Sequence, residues 1–309
     1  MPELPEVETV VRSLRPHLVG RSLDAIRAAD RRVLRSGRNR LPELSGRTVA
    51  AVERIGKFIR IEFSPFSRDP QGSASRGTTD PAPDSRTLIL TIHLGMAGRL
   101  LVVPGSSPVP KHAYFRLGLG TGDFPKVPGV KDPMPNVRSP MPILQFINPR
   151  WCMGGVWIHS PADRNDPAAR LGPDPLEICQ ADFSAVLSRR RQIKALLLDQ
   201  TVLAGMGNIY CDEALFAARI HPRAIASALS QPRRRTLWVA MRDRLTEAIR
   251  GGGSSIRDYR DANGQAGWFQ ISHAAYGRTG LPCPACATPI AHCTAAGRST
   301  HFCPRCQRR

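Results

Sequence analysis

The spacing of apolar residues changes along this chain of 309 residues. Near the N-terminus they recur every three or four positions, which predicts a helix over Pro5–Leu18 with the acidic Glu6 and Glu8 in its first turn. From about Thr48 the period becomes two, which is typical of strands. The strand-like runs are Val49–Ala51, Lys57–Phe63, Thr87–His93, Arg99–Val103, Ala113–Gly118, Pro142–Ile147 and Gly155–Ile158. Such a series of short strands predicts a sandwich or a barrel.

After Ser160 the apolar period returns to that of helices. The predicted helices are Phe183–Leu198, Asn208–Ala217 and Arg233–Arg250. Two stretches of the first half, about 64–86 and 104–142, are rich in turn residues and read as surface insertions. We therefore place the boundaries of three parts at residues 1–160, 161–275 and 276–309.

The charge of the chain is strongly basic and unevenly distributed. It has 44 Lys and Arg against 25 Asp and Glu, with net charges of +10 over residues 1–160, −3 over 161–188 and +12 over 189–309. Two basic modules that hold a nucleic acid between them fit this pattern, and so does a merely solvated basic surface. The sequence has neither a run of 18 apolar residues nor a signal-like N-terminus, so we expect a soluble, cytoplasmic protein with no membrane partner.

Four cysteines near the C-terminus form two Cys-x-x-Cys pairs, Cys283 with Cys286 and Cys303 with Cys306, separated by 16 residues. Two such pairs across a hairpin can surround one zinc ion tetrahedrally, whereas disulfides are rare in a reducing cytosol. Four thiolates leave no open position, so the predicted zinc is structural. Between the pairs, Arg298 suits a phosphate contact or is simply solvated.

Two further patterns suggest chemistry, each with a plainer alternative. The turn Gly205–Gly207 precedes a helix with Asn208 as a candidate N-cap, and free N–H groups at such an end bind phosphate, although many structural turns look alike. Removal of Met1 would give Pro2 a free secondary amine, which can form an iminium with a sugar carbon. An α-amino group is a weaker base than lysine, so more of it is neutral at pH 7. Alternatively, Pro2 only opens the helix.

Taken together, these segments resemble the formamidopyrimidine-DNA glycosylase family, within the superfamily that includes endonuclease VIII, along nearly the whole chain. The matching stretches are Pro2–Thr9, Lys57, His93–Gly98, Leu171–Leu176, Gly205–Phe216, Ile220–Pro222 and the four-cysteine hairpin. The resemblance implies an α+β fold: an N-terminal catalytic β-sandwich with a leading helix over residues 1–160, a helix-two-turn-helix DNA-binding domain over 161–275, and a zinc-finger hairpin over 276–309.

The resemblance also implies a function. The protein is expected to be a monomeric bacterial-type enzyme of base excision repair at the nucleoid. It would excise oxidised purines such as 8-oxoguanine and formamidopyrimidines from double-stranded DNA, and then cleave the strand at the abasic site by β,δ-elimination. Two alternatives stay open: a non-catalytic protein that binds damaged DNA, and an endonuclease VIII-like glycosylase for oxidised pyrimidines.

The resemblance assigns roles to individual residues. Pro2 is the catalytic amine and Glu3 the acid/base, with Glu6 as a support. The phosphate contacts around the extruded nucleotide are Lys57, Asn208 and Arg298, and Lys194 aligns with a basic position of the family that would also contact DNA. A lesion-capping loop maps to about 264–276.

Three residues of the family fill the gap that the extruded nucleotide leaves in the base stack. Met96 and Arg150 match the first two of them. Cys152 stands where a phenylalanine wedge is expected, with Trp151 adjacent to it. Because an apolar wedge works through area and stiffness, either Trp151 replaces it or the search for lesions is weakened.

Overall fold

The fold is given by a computed structural model, which describes residues 1–64, 87–120, 141–150, 153–254 and 259–308. Its helices are α1 (Leu4–Leu18), α2 (Gln180–Val186), α3 (Ile193–Leu197), α4 (Asn208–Ala217) and α5 (Gln231–Arg250). Its strands are β1 (Leu23–Ala29), β2 (Leu34–Ser36), β3 (Val49–Ile55), β4 (Phe58–Phe63), β5 (Leu88–His93), β6 (Arg99–Val103), β7 (Ala113–Leu119), β8 (Ile143–Ile147), β9 (Gly155–His159), β10 (Ala291–Ala295) and β11 (Arg298–Phe302).

The first half is a sandwich of two sheets, as the alternating pattern predicts. One sheet has the order β2-β9-β5-β4-β3 and the other the order β1-β7-β8-β6, and every pairing is antiparallel except that of β2 with β9. Alternate residues of the strands point into one apolar core, which stabilises the half by the area it removes from water. Strand β7 lies within the stretch 104–142, so part of that predicted insertion belongs to the sheet.

Sequence reasoning missed β1 and β2, and both are edge strands. The sequence of β1 contains an aspartate and three alanines, which have low strand propensity, and β2 has only three residues. Strands at the edge of a sheet are held by pairing with one neighbour, so their own pattern carries little signal.

Helix α1 belongs to both halves of the molecule. Its apolar stripe, which includes Val7, Val11 and Leu14, packs into the sandwich core. At its first turn, Leu4 instead joins the apolar core of the helical half, and its N–H donates to the carbonyl of Gly205 at 3.0 Å. The N-terminus of the chain is therefore fixed where the two halves meet.

The single helix predicted over Phe183–Leu198 is wrong, because the chain forms α2 and α3 with a break between them. In the break, Gln192 pairs with Ile225 in an isolated β-bridge, and the N–H of Ile193 donates to the carbonyl of Ala224 at 2.8 Å. These tertiary hydrogen bonds override the helical propensity of the segment. Helices α3 and α4 then form the helix-two-turn-helix pair.

The C-terminal segment returns to the sandwich before it forms the zinc hairpin. Tyr259 and Ala262 lie in the sandwich core, and the N–H of Ala262 donates to the hydroxyl of Ser13 on α1 at 3.0 Å. Strands β10 and β11 then pair as an antiparallel hairpin. Among the described residues, none of the helices combines the length and hydrophobicity that crossing a bilayer requires.

Candidate active site

The N-terminus of α4 holds the carboxylate of Glu3. Its two oxygens accept hydrogen bonds from the N–H of Ile209 at 3.0 Å and from the N–H of Tyr210 at 3.3 Å. Gly207 precedes the helix, and a Cβ there would lie 2.2 Å from Glu3 Cδ, so only glycine allows this approach. One expectation is therefore corrected, because the N-cap is Gly207 rather than Asn208. The N–H groups of Ile209 and Tyr210 at this helix end bind a carboxylate of the protein.

Glu6 lies one turn further along α1 and is 2% exposed. Its carboxylate accepts hydrogen bonds from the N–H of Glu3 at 2.8 Å, the hydroxyl of Tyr210 at 2.5 Å and the N–H of Ser254 at 2.8 Å. Burial and, after it, the negative charge of Glu3 raise the pKa of Glu6 to about 7. The predicted support of Glu3 is thus a network that ties α1 to α4 and to the segment after α5.

Lys57 supplies the positive charge of this site. It lies in the two-residue turn between β3 and β4 and is 6% exposed. Burial lowers the pKa of Lys57, while the charge of Glu3 opposes that shift. Conversely, burial raises the pKa of Glu3, and the charge of Lys57 opposes that change. A carboxylate and an ammonium therefore share a desolvated site, where each strongly affects the protonation of the other.

Pro2, which directly precedes Glu3, is buried, whereas Met1 before it is 49% exposed. The terminal amine is close enough for its charge to affect the pKa of Glu3, which lies in the same short segment. Removal of Met1 would place a secondary amine next to a carboxylate whose proton affinity is raised. Such a pair can supply a nucleophile together with an acid/base.

Asn208 and Arg298 lie where α4 meets the hairpin. The side-chain amide of Asn208 donates to the carbonyl of Ser299 at 2.8 Å, directly after Arg298 in β11. Arg298 is exposed, and its charge contributes to the lowered pKa of Lys57 in the sandwich, after the larger effect of burial. The structure thus brings Glu3, Lys57 and Arg298 into one electrostatically coupled region.

Lys194 is placed differently from the DNA contact that the resemblance suggested. Its side chain is 0% exposed. Its ammonium donates to Asp212 at 2.6 Å, to the hydroxyl of Thr300 at 2.8 Å and to the carbonyl of Ser299 at 3.2 Å. Since an ammonium has three donors and all of them are used within the protein, Lys194 has no free donor for a phosphate.

Met96 and Arg150 lie together at the tips of two loops of the sandwich, with 4.0 Å between Arg150 Nη1 and Met96 Sδ. Trp151 and Cys152, the candidate wedges, lie outside the described residues. Sequence reasoning missed Met153, which is 46% exposed. Its carbonyl oxygen packs closely on Gly95, since a Cβ added to Gly95 would lie 2.3 Å from that oxygen. A signal existed: Met153 directly precedes a glycine, as the wedge phenylalanine of the family does.

Tyr210 and His93 are also site residues that sequence reasoning did not single out. The hydroxyl of Tyr210 binds Glu6, and its ring lies 5.8 Å from that of Phe269. Burial and the positive charge of Lys57 lower the pKa of His93 to about 4, so its imidazole is neutral at pH 7. Both residues fall inside motifs that the sequence did identify, but their roles depend on contacts between distant segments.

The segment 264–276, predicted as a lesion-capping loop, is partly held by a buried carboxylate. The two oxygens of Glu213 on α4 accept hydrogen bonds from the N–H groups of Ala274, Ala275 and Tyr276 at 2.8–2.9 Å. Trp268, in contrast, is 70% exposed. One end of the segment is therefore anchored near α4, while its capping role stays a prediction.

The four cysteines of the hairpin fit one zinc ion. The sulfurs of Cys283, Cys286, Cys303 and Cys306 all lie within 4.8 Å of one another. An ion about 2.3 Å from each of four thiolates requires sulfurs about 3.8 Å apart. The sulfurs of Cys283 and Cys306 lie 4.0 Å apart, and those of Cys286 and Cys303 lie 3.5 Å apart. This is the donor set of a closed, structural zinc site, as the sequence predicts.

Comparison with known protein families identifies matches in three segments. A model of the formamidopyrimidine-DNA glycosylase N-terminal domain matches residues 1–125, and a model of the helix-two-turn-helix domain of the same glycosylase matches residues 171–260. A model of a zinc finger found in FPG and IleRS matches residues 280–309.

Individual relatives match over the whole chain. The formamidopyrimidine-DNA glycosylase of Solibacter usitatus is 42% identical over 312 residues, which is 100% of both chains. The crystal structure of the MutM (Fpg) protein of Thermus thermophilus is 37% identical with a TM-score of 0.76, covering 99% of this chain and 98% of that one. A variant of Lactococcus lactis Fpg, in complex with DNA containing Fapy-dG, is 31% identical with a TM-score of 0.79 and full coverage of both chains.

Proposed function

The chain belongs to the formamidopyrimidine-DNA glycosylase family, and we propose that it excises oxidised purines from double-stranded DNA with the amine of Pro2 as nucleophile. It is an enzyme of base excision repair, a DNA glycosylase with abasic-site lyase activity. The observation that carries the proposed mechanism is the buried Glu3 carboxylate next to Pro2, held at the N-terminus of α4 and beside Lys57.

In the first step, the neutral nitrogen of Pro2 attacks the C1′ carbon of the damaged nucleotide. The bond from C1′ to the base breaks, the base leaves with the electron pair, and it takes up the proton that the Pro2 nitrogen loses on bonding to C1′. Glu3 then delivers a proton to the ring oxygen of the sugar, which opens the ring and leaves an iminium between Pro2 and C1′. The raised pKa of Glu3 suits this role, because a carboxyl group must hold the proton before it can donate it.

The iminium then acts as an electron sink. A proton is lost from C2′, and the 3′ phosphate leaves with the electrons of its carbon–oxygen bond. A second elimination releases the 5′ phosphate, and water hydrolyses the remaining iminium to regenerate the Pro2 amine. Both elimination steps need a base close to the sugar, and the Glu3 carboxylate is the group that we assign to it.

The chain must also hold the nucleotide outside the duplex. We assign the flanking phosphates to Lys57, Asn208 and Arg298, and the gap in the base stack to Met96, Arg150 and Met153, with Trp151 or Cys152 as a further wedge. Extrusion of a base costs a few kcal/mol, which phosphate contacts and an apolar wedge can offset. A cleft between residues 1–160 and the two C-terminal parts, 161–275 and 276–309, would hold the DNA. We place this activity in a monomer at the bacterial nucleoid.

Borohydride trapping tests the mechanism, because it reduces the iminium to a stable amine. Duplexes that contain 8-oxoguanine, an oxidised pyrimidine or an abasic site would each be incubated with the purified chain. We expect an adduct with the purine lesion and with the abasic site, and mass spectrometry of the digested adduct should place it on Pro2. An adduct on a lysine would overturn the assignment.

Two variants make the test specific. A chain with an N-terminal extension that prevents exposure of Pro2 should bind the duplexes but give no adduct. Pro2→Gly replaces the secondary amine by a primary amine, and this variant should also lose the adduct. Trapping of pyrimidine lesions alone would favour an endonuclease VIII-like specificity, and binding without any adduct would favour the non-catalytic alternative.

A further inference from the structure

A buried ion pair joins the helical half to the zinc hairpin. Lys194 on α3 and Asp212 on α4 lie 2.6 Å apart, and both side chains are 0% exposed. The second oxygen of Asp212 accepts the N–H of His301 on β11 at 2.9 Å and lies 3.2 Å from the imidazole Nδ1 of the same residue. Both members of the ion pair, Lys194 and Asp212, therefore contact the hairpin.

These contacts surround the beginning of β11. Besides Asp212, Lys194 binds the hydroxyl of Thr300 and the carbonyl of Ser299, the residue that follows Arg298. The hydroxyl of Thr300 also lies 2.9 Å from the carbonyl of Arg298. Ser299 and Thr300 thus contact Lys194, and His301 contacts Asp212. Arg298 contacts the Thr300 hydroxyl that Lys194 binds.

Zinc alone does not determine where this strand lies relative to the helices. The apolar core of the hairpin consists of Cys283, Ile290 and Cys303, with Phe216 of α4 packed against it, so the metal organises mainly the inside of the hairpin. Its position against α3 and α4 depends on contacts such as those of Lys194 and Asp212. Since buried ion pairs contribute little net stability compared with apolar residues of similar size, a role in fixing geometry explains this pair better.

We propose that Asp212 is a positioning residue for DNA binding: it orients Lys194, and together they hold Ser299 and Thr300 so that Arg298 reaches a phosphate. This inference rests on the proposed function, which assigns that phosphate to Arg298. It also gives the buried Lys194 a part in DNA binding that needs no contact between Lys194 and DNA.

A double-mutant cycle tests the proposal with Asp212→Asn, Arg298→Ala and the double variant. The measured quantity is the dissociation constant for a duplex with a tetrahydrofuran abasic-site analogue, together with kcat and KM for 8-oxoguanine. We expect each single variant to weaken binding about tenfold, and the double variant to be within about twofold of Arg298→Ala. Independent effects, which multiply to about a hundredfold, would overturn the proposal.

Two further variants distinguish a loss of folding from a change in the position of Arg298. Thr300→Val removes one ligand of Lys194 while the ion pair stays intact, and it should show the same coupling to Arg298 with a smaller effect. Leu237→Ala truncates a buried side chain in the apolar core of the helical half, and so lowers stability without touching the hairpin. It should leave the dissociation constant within about twofold of the original.

The outcomes also distinguish this proposal from the proposed function. An active original chain with an impaired Arg298→Ala variant, but with unchanged Asp212→Asn and Thr300→Val variants, overturns the positioning role alone. If Arg298→Ala binds DNA as well as the original chain, both the phosphate assignment and the positioning role are wrong. Zinc content and thermal midpoint are measured for every variant, so that a misfolded hairpin is recognised.

Discussion

The carboxylate of Glu6 accepts a hydrogen bond of 2.8 Å from the backbone N–H of Glu3, and both side chains are at most 4% exposed. This bond fixes the peptide unit that joins Pro2 to Glu3. Tyr210 and Ser254 hold the same carboxylate from the helical half, so the position of the proposed nucleophile depends on both halves of the molecule.

The pKa of Glu6, raised to about 7 by burial and by the charge of Glu3, predicts a pH-dependent stability. Between about pH 4.5 and 7 the folded chain holds a proton on Glu6 that the unfolded chain has lost, so this group favours folding less as pH rises. Over that range, the free energy of unfolding should fall by about 3 kcal/mol more in the original chain than in Glu6→Gln.

Urea unfolding at several pH values measures this difference. Glu177→Gln is the matched control, because it removes one carboxylate that is exposed rather than buried. If the pH profiles of the original chain and of Glu6→Gln are parallel between pH 4.5 and 7, Glu6 does not carry the proton.

Lys57 should set the acidic limit of catalysis. Its charge opposes the rise that burial causes in the pKa of Glu3, so in Lys57→Gln the pKa of Glu3 should rise further. If the elimination steps need an ionised Glu3, the acidic limb of the pH–rate profile moves to higher pH. Single-turnover cleavage of abasic-site duplexes measures that limb directly.

Arg298→Gln provides the comparison for Lys57→Gln. It also removes a positive charge from the DNA-binding region, but the charge of Arg298 is not among the main influences on the pKa of Glu3. Its rate should fall without a shift of the acidic limb. An unshifted limb in Lys57→Gln as well would show that Lys57 acts only on DNA binding.

The sequence predicted those features that repeat or that depend on local spacing. The alternation of apolar residues identified the strands β3 to β9, since each of them has one face in the core. Cysteine spacing identified the zinc site because ligands in two tight turns must have that spacing. The short motifs identified Glu3, Glu6 and Lys57, which the structure brings into one buried site.

Features that depend on contacts between distant segments could not be predicted. The end of α4 looked like a phosphate site, but its N–H groups at Ile209 and Tyr210 bind Glu3, about 200 residues away in the chain. The resemblance suggested Lys194 as a DNA contact, whereas its side chain is 0% exposed and its ammonium binds Asp212 and Thr300. In both cases a partner from a distant segment, which no local pattern contains, decides what the groups bind.

Removal of zinc should disorder the hairpin and weaken DNA binding. The hairpin has an apolar core of Cys283, Ile290 and Cys303, two of which are ligands, so its folding depends on the metal. Chelation should weaken binding to duplex DNA, and the dependence of affinity on salt should fall by about one phosphate contact, that of Arg298. Binding isotherms at several salt concentrations, before and after verified zinc loss, measure both effects. Unchanged affinity and salt dependence would contradict this role.

Arg54, on β3 three residues before Lys57, also connects the two halves of the molecule. Its guanidinium lies 3.0 Å from Glu8 on α1 and 2.5 Å from Asp174, which leads into the helical half, and it is 8% exposed. Although burial opposes it, the bonds of Glu8 with Arg12 and Arg54 hold the pKa of Glu8 below its usual value. Arg54→Met should therefore leave two carboxylates without their shared partner.

Breaking such a mostly buried pair costs about 3 kcal/mol, so the urea midpoint of Arg54→Met should fall clearly. Arg12→Met is a matched control, since Arg12 binds the same Glu8 at 2.8 Å but is 59% exposed, and loss of an exposed pair costs less than about 1 kcal/mol. Adding Asp174→Asn to Arg54→Met should restore part of the stability, because it removes a charge that has lost its partner. If both arginine variants are equally stable, Arg54 does not hold the two halves together.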